Sequence, residues 1–316
     1  MSAVSPEEQL WDLLRGALAA RALGVVSDLG VPDALAGGAR TVRELAEEVD
    51  TDRDTLHRLL RALASDGVFV EQAPGVFSNT AASELLRDSW GGFAHLFGGA
   101  WHRAAGGLES TGEPAFPATF GTDFWSWLAT QPEERATFDR AMVEGTDRRV
   151  DRLARVAWRG DETVVDVGGG NGSLLVALLG RRPGLRGVVY DLPETVRDED
   201  ALRNAGCAFV AGSFFDSVPA GDVYVLSTVL HDWGDEPADR ILRTVRAAAG
   251  DDARLLVVES VVPAGNGPHP AKWLDLLVLA LFGGRSRNDA QWRALLRAAG
   301  WEPVSIADGL IEARCR

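Results

Sequence analysis

Residues 164–172 read VVDVGGGNG, with Thr163 before them and SLLVALLGRR (173–182) after. The run from Thr163 to Val167 is short, apolar and β-branched, as suits a strand buried on both faces of a parallel sheet. Gly168, Gly170 and Gly172 then permit a turn that a Cβ would obstruct, and let bare backbone approach a ligand. Residues 173–182 carry apolar side chains at helical spacing, and Pro183 ends them. Strand, glycine loop and helix N-terminus in succession gather N–H donors and a positive dipole end at one point, which predicts a nucleotide-like ligand there.

The spacing narrows the ligand. A dinucleotide fingerprint reads GxGxxG, but counted from Gly168 and Gly170 the third glycine falls on Ser173. The pattern is DxGxGxG instead, and Asp166 would oppose a phosphate yet could hold an ammonium group. S-adenosylmethionine (SAM) has an amino-acid tail and no phosphate. Residues 187–193 (GVVYDLP) then end a second strand on Asp191, an acid able to accept hydrogen bonds from both ribose hydroxyls, as NAD sites also require. Residues 211–216 (AGSFFD) leave a third strand with Ser213, Phe214 and Phe215 at its edge, where an aromatic face can pack on adenine or simply join the core.

Strand and helix alternate throughout this half of the chain. Strands are expected at 163–167, 187–191, 207–210, 222–230 and 254–259, which predicts a parallel sheet with helices on both faces. Residues 302–307 and 310–314 are joined by Asp308-Gly309, a favoured hairpin turn, so the last strand is expected to run antiparallel. The fourth strand leads into STVLHDW (227–233), placing His231 at the carboxyl edge of a central strand, where ligands bind and a side chain that titrates near neutrality can take a proton.

The N-terminal part is helical and then hairpin-like. Residues 10–29 form an amphipathic helix carrying Leu13, Leu14, Leu18 and Val25, Thr41 and Glu44 frame a capping box, and 52–64 is a third helix before two short extended pieces at 67–71 and 75–78. This is a winged-helix pattern. Residues 1–95 contain eight arginines and no lysine against fifteen acids, a surface that would repel phosphates, so a structural or dimer-forming part is expected rather than DNA binding. Residues 91–157 are mostly helical and aromatic, including Trp101, Phe124 and Phe138, with a Gly-Pro-rich loop expected at 112–121.

Composition sets the outer bounds. The net charge of −14 argues against nucleic acid or an anionic membrane as partner, and the single lysine, Lys272, fits a coding bias towards arginine. Cys207 and Cys315 have neither metal nor redox spacing. Acids at Glu7, Glu8 and Asp12 stand where a signal peptide would be basic, and no apolar stretch approaches a membrane span, so a cytoplasmic location is expected.

Together DVGGGNG, YDLP, GSFFDSVPAG, LHDWGDE, VVES and the Gly283–Arg287 segment resemble the SAM-dependent O-methyltransferases of the plant caffeate and bacterial natural-product (acetylserotonin-type) family. LHDW followed by DE is the most specific element. The resemblance covers essentially the whole chain and implies an α/β fold. A winged-helix dimerisation domain is expected at 1–95, a helical linker contributing to the acceptor pocket at 96–157, and a Rossmann-like SAM methyltransferase domain with an antiparallel C-terminal strand at 158–316. It implies a homodimer that uses SAM, releases S-adenosyl-L-homocysteine (SAH), needs no metal and methylates a hydroxyl of a small aromatic intermediate.

The same resemblance assigns residues. His231 matches the general base and Glu259 the acid that orients it. Asp166, Gly168, Gly170, Asp191, Leu192, Ser213, Phe214, Phe215, Ser227 and Trp233 fall on the cofactor side. Phe138 and Met142 match the FxxxM positions at donor and acceptor, and Trp101, Phe124 and Asp232 are expected at the acceptor. Three positions depart from the plant pattern: Ser213 where an Asp often binds adenine, Ser227 where plants have Lys, and Ser286 where many members have a Glu that brackets the histidine. Ser286 would leave His231 one carboxylate short and a weaker base. It also keeps open a second reading, in which bound SAM serves decarboxylation, hydroxylation or cyclisation; a SAM-sensing DNA-binding regulator is a third.

Overall fold

The computed structural model describes residues 5–109, 113–193, 195 and 199–316. It divides into two compact units, Met1–Gly106 with Gln131–Glu144, and Gly107–Thr130 with Gly145–Arg316, so that residues 96–157 are shared between them.

In the first unit local signals start each helix. Ser5 and Glu8 cap the helix Pro6–Asp28 reciprocally, Thr41 and Glu44 do the same for Val42–Glu48, and Asp52 caps Arg53–Ser65. Three short strands, β1 (Arg40–Thr41), β2 (Phe69–Ala73) and β3 (Val76–Asn79), form an antiparallel sheet in the order β1-β3-β2. Val26, Leu45, Leu56, Leu60, Phe69 and Phe77 close the core between helices and wing. The first helix buries only Ala22, Gly24 and Val26, while Leu10, Trp11, Leu13, Leu14 and Leu18 lie between 59% and 73% exposed on its other part.

The second unit is built on seven strands: β4 (Thr163–Val167), β5 (Arg186–Asp191), β6 (Cys207–Ala211), β7 (Val223–Ser227), β8 (Arg254–Val258), β9 (Trp301–Ala307) and β10 (Leu310–Cys315). Their order is β6-β5-β4-β7-β8-β10-β9, with β4 to β8 parallel and β10 antiparallel to both neighbours. Alternation along β7 shows why both faces are covered. Tyr224 and Leu226 pack with Ile241, Leu242, Trp292 and Leu296, whereas Val223 and Val225 pack with Val150, Leu153, Leu175 and Leu178. Asp308 and Gly309, at φ +50° and +73°, make the expected hairpin turn.

Two expectations need correction. Residues Ala115–Phe120 of the expected loop form a helix, because Ala115 and Phe116 are buried and the prolines at 114 and 117 sit before it and in its first turn, where they are tolerated. Gly112 lies outside the described residues. The strand expected at 222–230 stops at Ser227: Thr228 takes φ +56°, and the chain turns into a single 3₁₀ turn at Leu230–Asp232.

Candidate active site

The glycine loop turns as its composition requires. Gly168, Gly170 and Gly172 have φ of +71°, +59° and +79°, and a Cβ on Gly168 would lie 2.8 Å from Cγ2 of Val229. The Gly168 N–H donates to the Tyr190 carbonyl at 2.8 Å, fastening the loop to the end of β5. Asp191 is fixed there by its own set of donors. Its Oδ2 accepts from Gly170 N–H (2.8 Å), and its Oδ1 from Leu192 N–H (2.7 Å) and the buried Thr195 hydroxyl (3.0 Å). Thr195 carries no motif of its own, and sequence reading passed over it.

Asp166 is 2% exposed, and its Oδ2 has no hydrogen-bond partner among the described residues. Burial, aided by the nearby charge of Asp191, pushes its pKa up to about 7. On the other side of the loop Phe214, Phe215 and Trp233 meet edge to face, with Phe215 and Trp233 centroids 4.8 Å apart. The Ser213 hydroxyl accepts from Phe215 N–H at 3.2 Å, the Ser227 hydroxyl is buried without a partner among the described residues, and Leu192 is exposed. An orphaned buried carboxylate oxygen, an open glycine turn, a second carboxylate and an aromatic cluster fit a molecule with an ammonium group, vicinal hydroxyls and a flat base.

Past the end of β7, His231 meets two carboxylates. Its Nδ1 lies 2.6 Å from Oε2 of Glu259, the residue after β8, and its Nε2 lies 3.2 Å from Oδ1 of Asp232. The His231 N–H also donates to Oε1 of Glu259 at 3.3 Å. Glu259 and Asp232 are buried. Burial disfavours the charged ring, but the charges and hydrogen bonds of Glu259 and Asp232 outweigh it and raise the His231 pKa well above its ordinary value. Ser286 therefore leaves no deficit of charge at the histidine: Asp232, expected only at the acceptor, supplies a second carboxylate, and both nitrogens face oxygen.

The Gly283–Arg287 segment packs directly on this turn. Arg285 N–H donates to the His231 carbonyl at 2.8 Å, and Ser286 N–H to Oδ1 of Asp275 at 2.7 Å. The Ser286 hydroxyl is buried and unpartnered among the described residues. Phe124 joins an aromatic group in the same unit, its ring 5.2 Å from Phe116 and 5.1 Å from Phe282, which stacks on Trp125. Trp101, Phe138 and Met142 belong to the first unit, Trp101 on Ala100–Ala105 and the other two on Pro132–Val143. Among the described residues no group of three or more His, Cys, Asp or Glu is arranged to hold a metal ion, and no helix is long and apolar enough to cross a membrane.

Comparison with known proteins gives the same reading. Residues 101–302 match the O-methyltransferase domain and residues 11–89 the O-methyltransferase dimerisation domain. The O-demethylpuromycin-O-methyltransferase of Streptomyces alboniger is 39% identical over 95% of this chain and 85% of its own length. The solved structure of LaPhzM is similar at a TM-score of 0.92 and 35% identity, covering 99% of this chain and 100% of that one. That of NcsB1, from neocarzinostatin biosynthesis, solved with SAH and 1,4-dihydroxy-2-naphthoic acid, is similar at 0.78 and 34%, covering 95% and 96%.

The chain belongs to the SAM-dependent O-methyltransferases, the family that acts on small aromatic natural products. It is an enzyme that uses SAM to methylate a hydroxyl group.

Proposed function

We propose that His231 is the general base of this methyl transfer and Glu259 the acid that orients it, and that the acceptor is a planar phenolic intermediate of natural-product synthesis. The observation that carries the reading is the 2.6 Å contact between His231 Nδ1 and Glu259, which commits the proton on that nitrogen and leaves Nε2 to face the acceptor. Bound SAM supplies an electrophilic methyl group on a sulfonium. Asp166 holds its ammonium group, Asp191 its ribose hydroxyls, and Phe214, Phe215 and Trp233 the adenine. Phe124, Trp125 and Phe282 supply ring surface for the acceptor. The acceptor hydroxyl replaces Asp232 at Nε2, the neutral imidazole takes its proton, and Glu259 stabilises the imidazolium that results.

A base with a raised pKa works only once it is neutral, so the rate is expected to climb with pH well beyond 6.5, the ordinary histidine value. Glu259→Gln removes an anion that favours the charged ring and thereby lowers its pKa. The acid limb of the pH–rate profile is expected to move to lower pH by about 1–3 units, with a reduced plateau. A limb that stays in place or moves up in pH would show that Glu259 does not govern the base. The probe acceptor is 1,4-dihydroxy-2-naphthoic acid, and the readout is SAH formed.

The exposed leucines of the first helix point to a homodimer, in keeping with the dimerisation-domain match that begins at residue 11. Leu14→Asp combined with Leu18→Asp is expected to give a monomer in sedimentation velocity. Persistence of the dimer at the same concentration would place the interface elsewhere. The free thiols Cys207 and Cys315 suit the cytoplasmic location read from the sequence.

A further inference from the structure

Arg287 is fully buried, and none of the steps above uses it. Its guanidinium donates to the carbonyls of Leu230 (2.9 Å) and Trp233 (2.9 Å), to Oδ1 of Asp235 (2.9 Å) and to the Arg285 carbonyl (3.2 Å). Its Cζ lies 5.5 Å from the Trp292 ring centroid. A buried guanidinium is costly unless its donors are paired, and here backbone carbonyls do much of the pairing. Leu230 and Trp233 flank His231 and Asp232, so one planar fork grips the short turn on both sides of the histidine. Lysine, with a compact tetrahedral head, cannot reproduce that grip.

We propose that Arg287 is a positioning residue for methyl transfer: it holds the Leu230–Trp233 turn so that His231 meets Glu259. The proposal rests on the reading of His231 as the base. The charged groups around that ring come from several elements. Glu259 and Asp232 contact the ring itself, Asp235 pairs with both Arg285 and Arg287, and Asp275 binds the Ser286 N–H. Burial works against the charge on Arg287, while its pairing with Asp235 favours it.

The test compares Arg287→Lys and Arg287→Gln with His231→Ala and Glu259→Gln, all in the full-length chain. Initial rates with 1,4-dihydroxy-2-naphthoic acid are taken across pH, and SAH affinity is measured by calorimetry. Arg287→Lys keeps the charge and loses the fork: kcat is expected to fall by about 10²-fold. Acceptor KM should stay within about twofold and SAH affinity should fall far less than kcat, while the acid limb should move to lower pH, as in Glu259→Gln, because His231 loosens from Glu259. Arg287→Gln, which loses the fork and the charge together, should lower kcat at least as far. Wild-type kcat or an unmoved limb in Arg287→Lys overturns the proposal. If Arg287→Gln does not fold, Arg287→Lys decides alone. If His231→Ala keeps wild-type turnover, the base reading falls and this proposal with it; if His231→Ala loses activity and Arg287→Lys does not, only the clamp falls.

Discussion

His231→Ala is expected to lower SAH formation on the plateau above the acid limb by about 10²–10⁴-fold, the usual worth of a positioned general base, with SAH affinity unchanged. The affinity should hold because the imidazole is not among the groups assigned to the cofactor: Asp166 lies in β4, Asp191 ends β5, Phe214 and Phe215 follow β6, and Trp233, though it follows the same turn, offers its own ring. Activity should not vanish, since holding nucleophile and methyl group in line can supply about 7–11 kcal/mol without any base. A variant that turns over within about threefold of the wild type would remove the base assignment altogether. The sequence alone argued for a smaller loss, because Ser286 leaves out the acid that many relatives have. Asp232, 3.2 Å from Nε2, reverses that argument.

Gly284→Ala is the second large effect, and only packing reveals it. A Cβ on Gly284 would lie 2.2 Å from the His231 carbonyl oxygen, 2.8 Å from the carbonyl carbon of Asp232 and 2.9 Å from its Cα. All three are backbone atoms of the turn that carries the base, so no side chain can swing away to make room. The turn or the Gly283–Arg287 segment must shift, and a displacement of about 1 Å at a reacting group costs about 10² in rate. Overpacking of this kind also destabilises by about 1–3 kcal/mol. Gly180→Ala is the control: its Cβ meets nothing within 4 Å in the helix Ser173–Arg181, so thermal melting should show equal or higher stability with unchanged rate. Gly284→Ala with wild-type kcat would mean that the turn tolerates displacement.

Much of the fold was legible because its signals are local. The strand before Gly168, the capping box at Thr41 and the Asp308-Gly309 turn each act within a few residues, and the described structure follows them. The two misreadings came from tertiary context. Pro114, Pro117 and Gly121 read as loop residues, yet burial of Phe116 against Phe120, Phe124 and Trp127 makes a helix worthwhile there. The β-prone stretch from Val223 to Leu230 (VYVLSTVL) reads as one strand, yet the Thr228 turn cuts it short, and His231 beyond it meets Glu259.

The sequence by itself determined the alternating α/β order, the antiparallel last strand, the glycine loop suited to SAM and the position of His231 beyond the carboxyl edge of a central strand. These follow from periodicity, turn chemistry and backbone freedom, which neighbouring residues set among themselves. Only the tertiary structure decided how His231 is surrounded. Glu259 reaches it across 28 residues of sequence, and Arg287 grips the Leu230 carbonyl across 57. Asp232 is adjacent in sequence, but its approach to Nε2 depends on the Thr228 turn and the packing of Gly284. Such contacts leave no periodic trace, because they arise where separate strands and loops converge at one edge of the sheet.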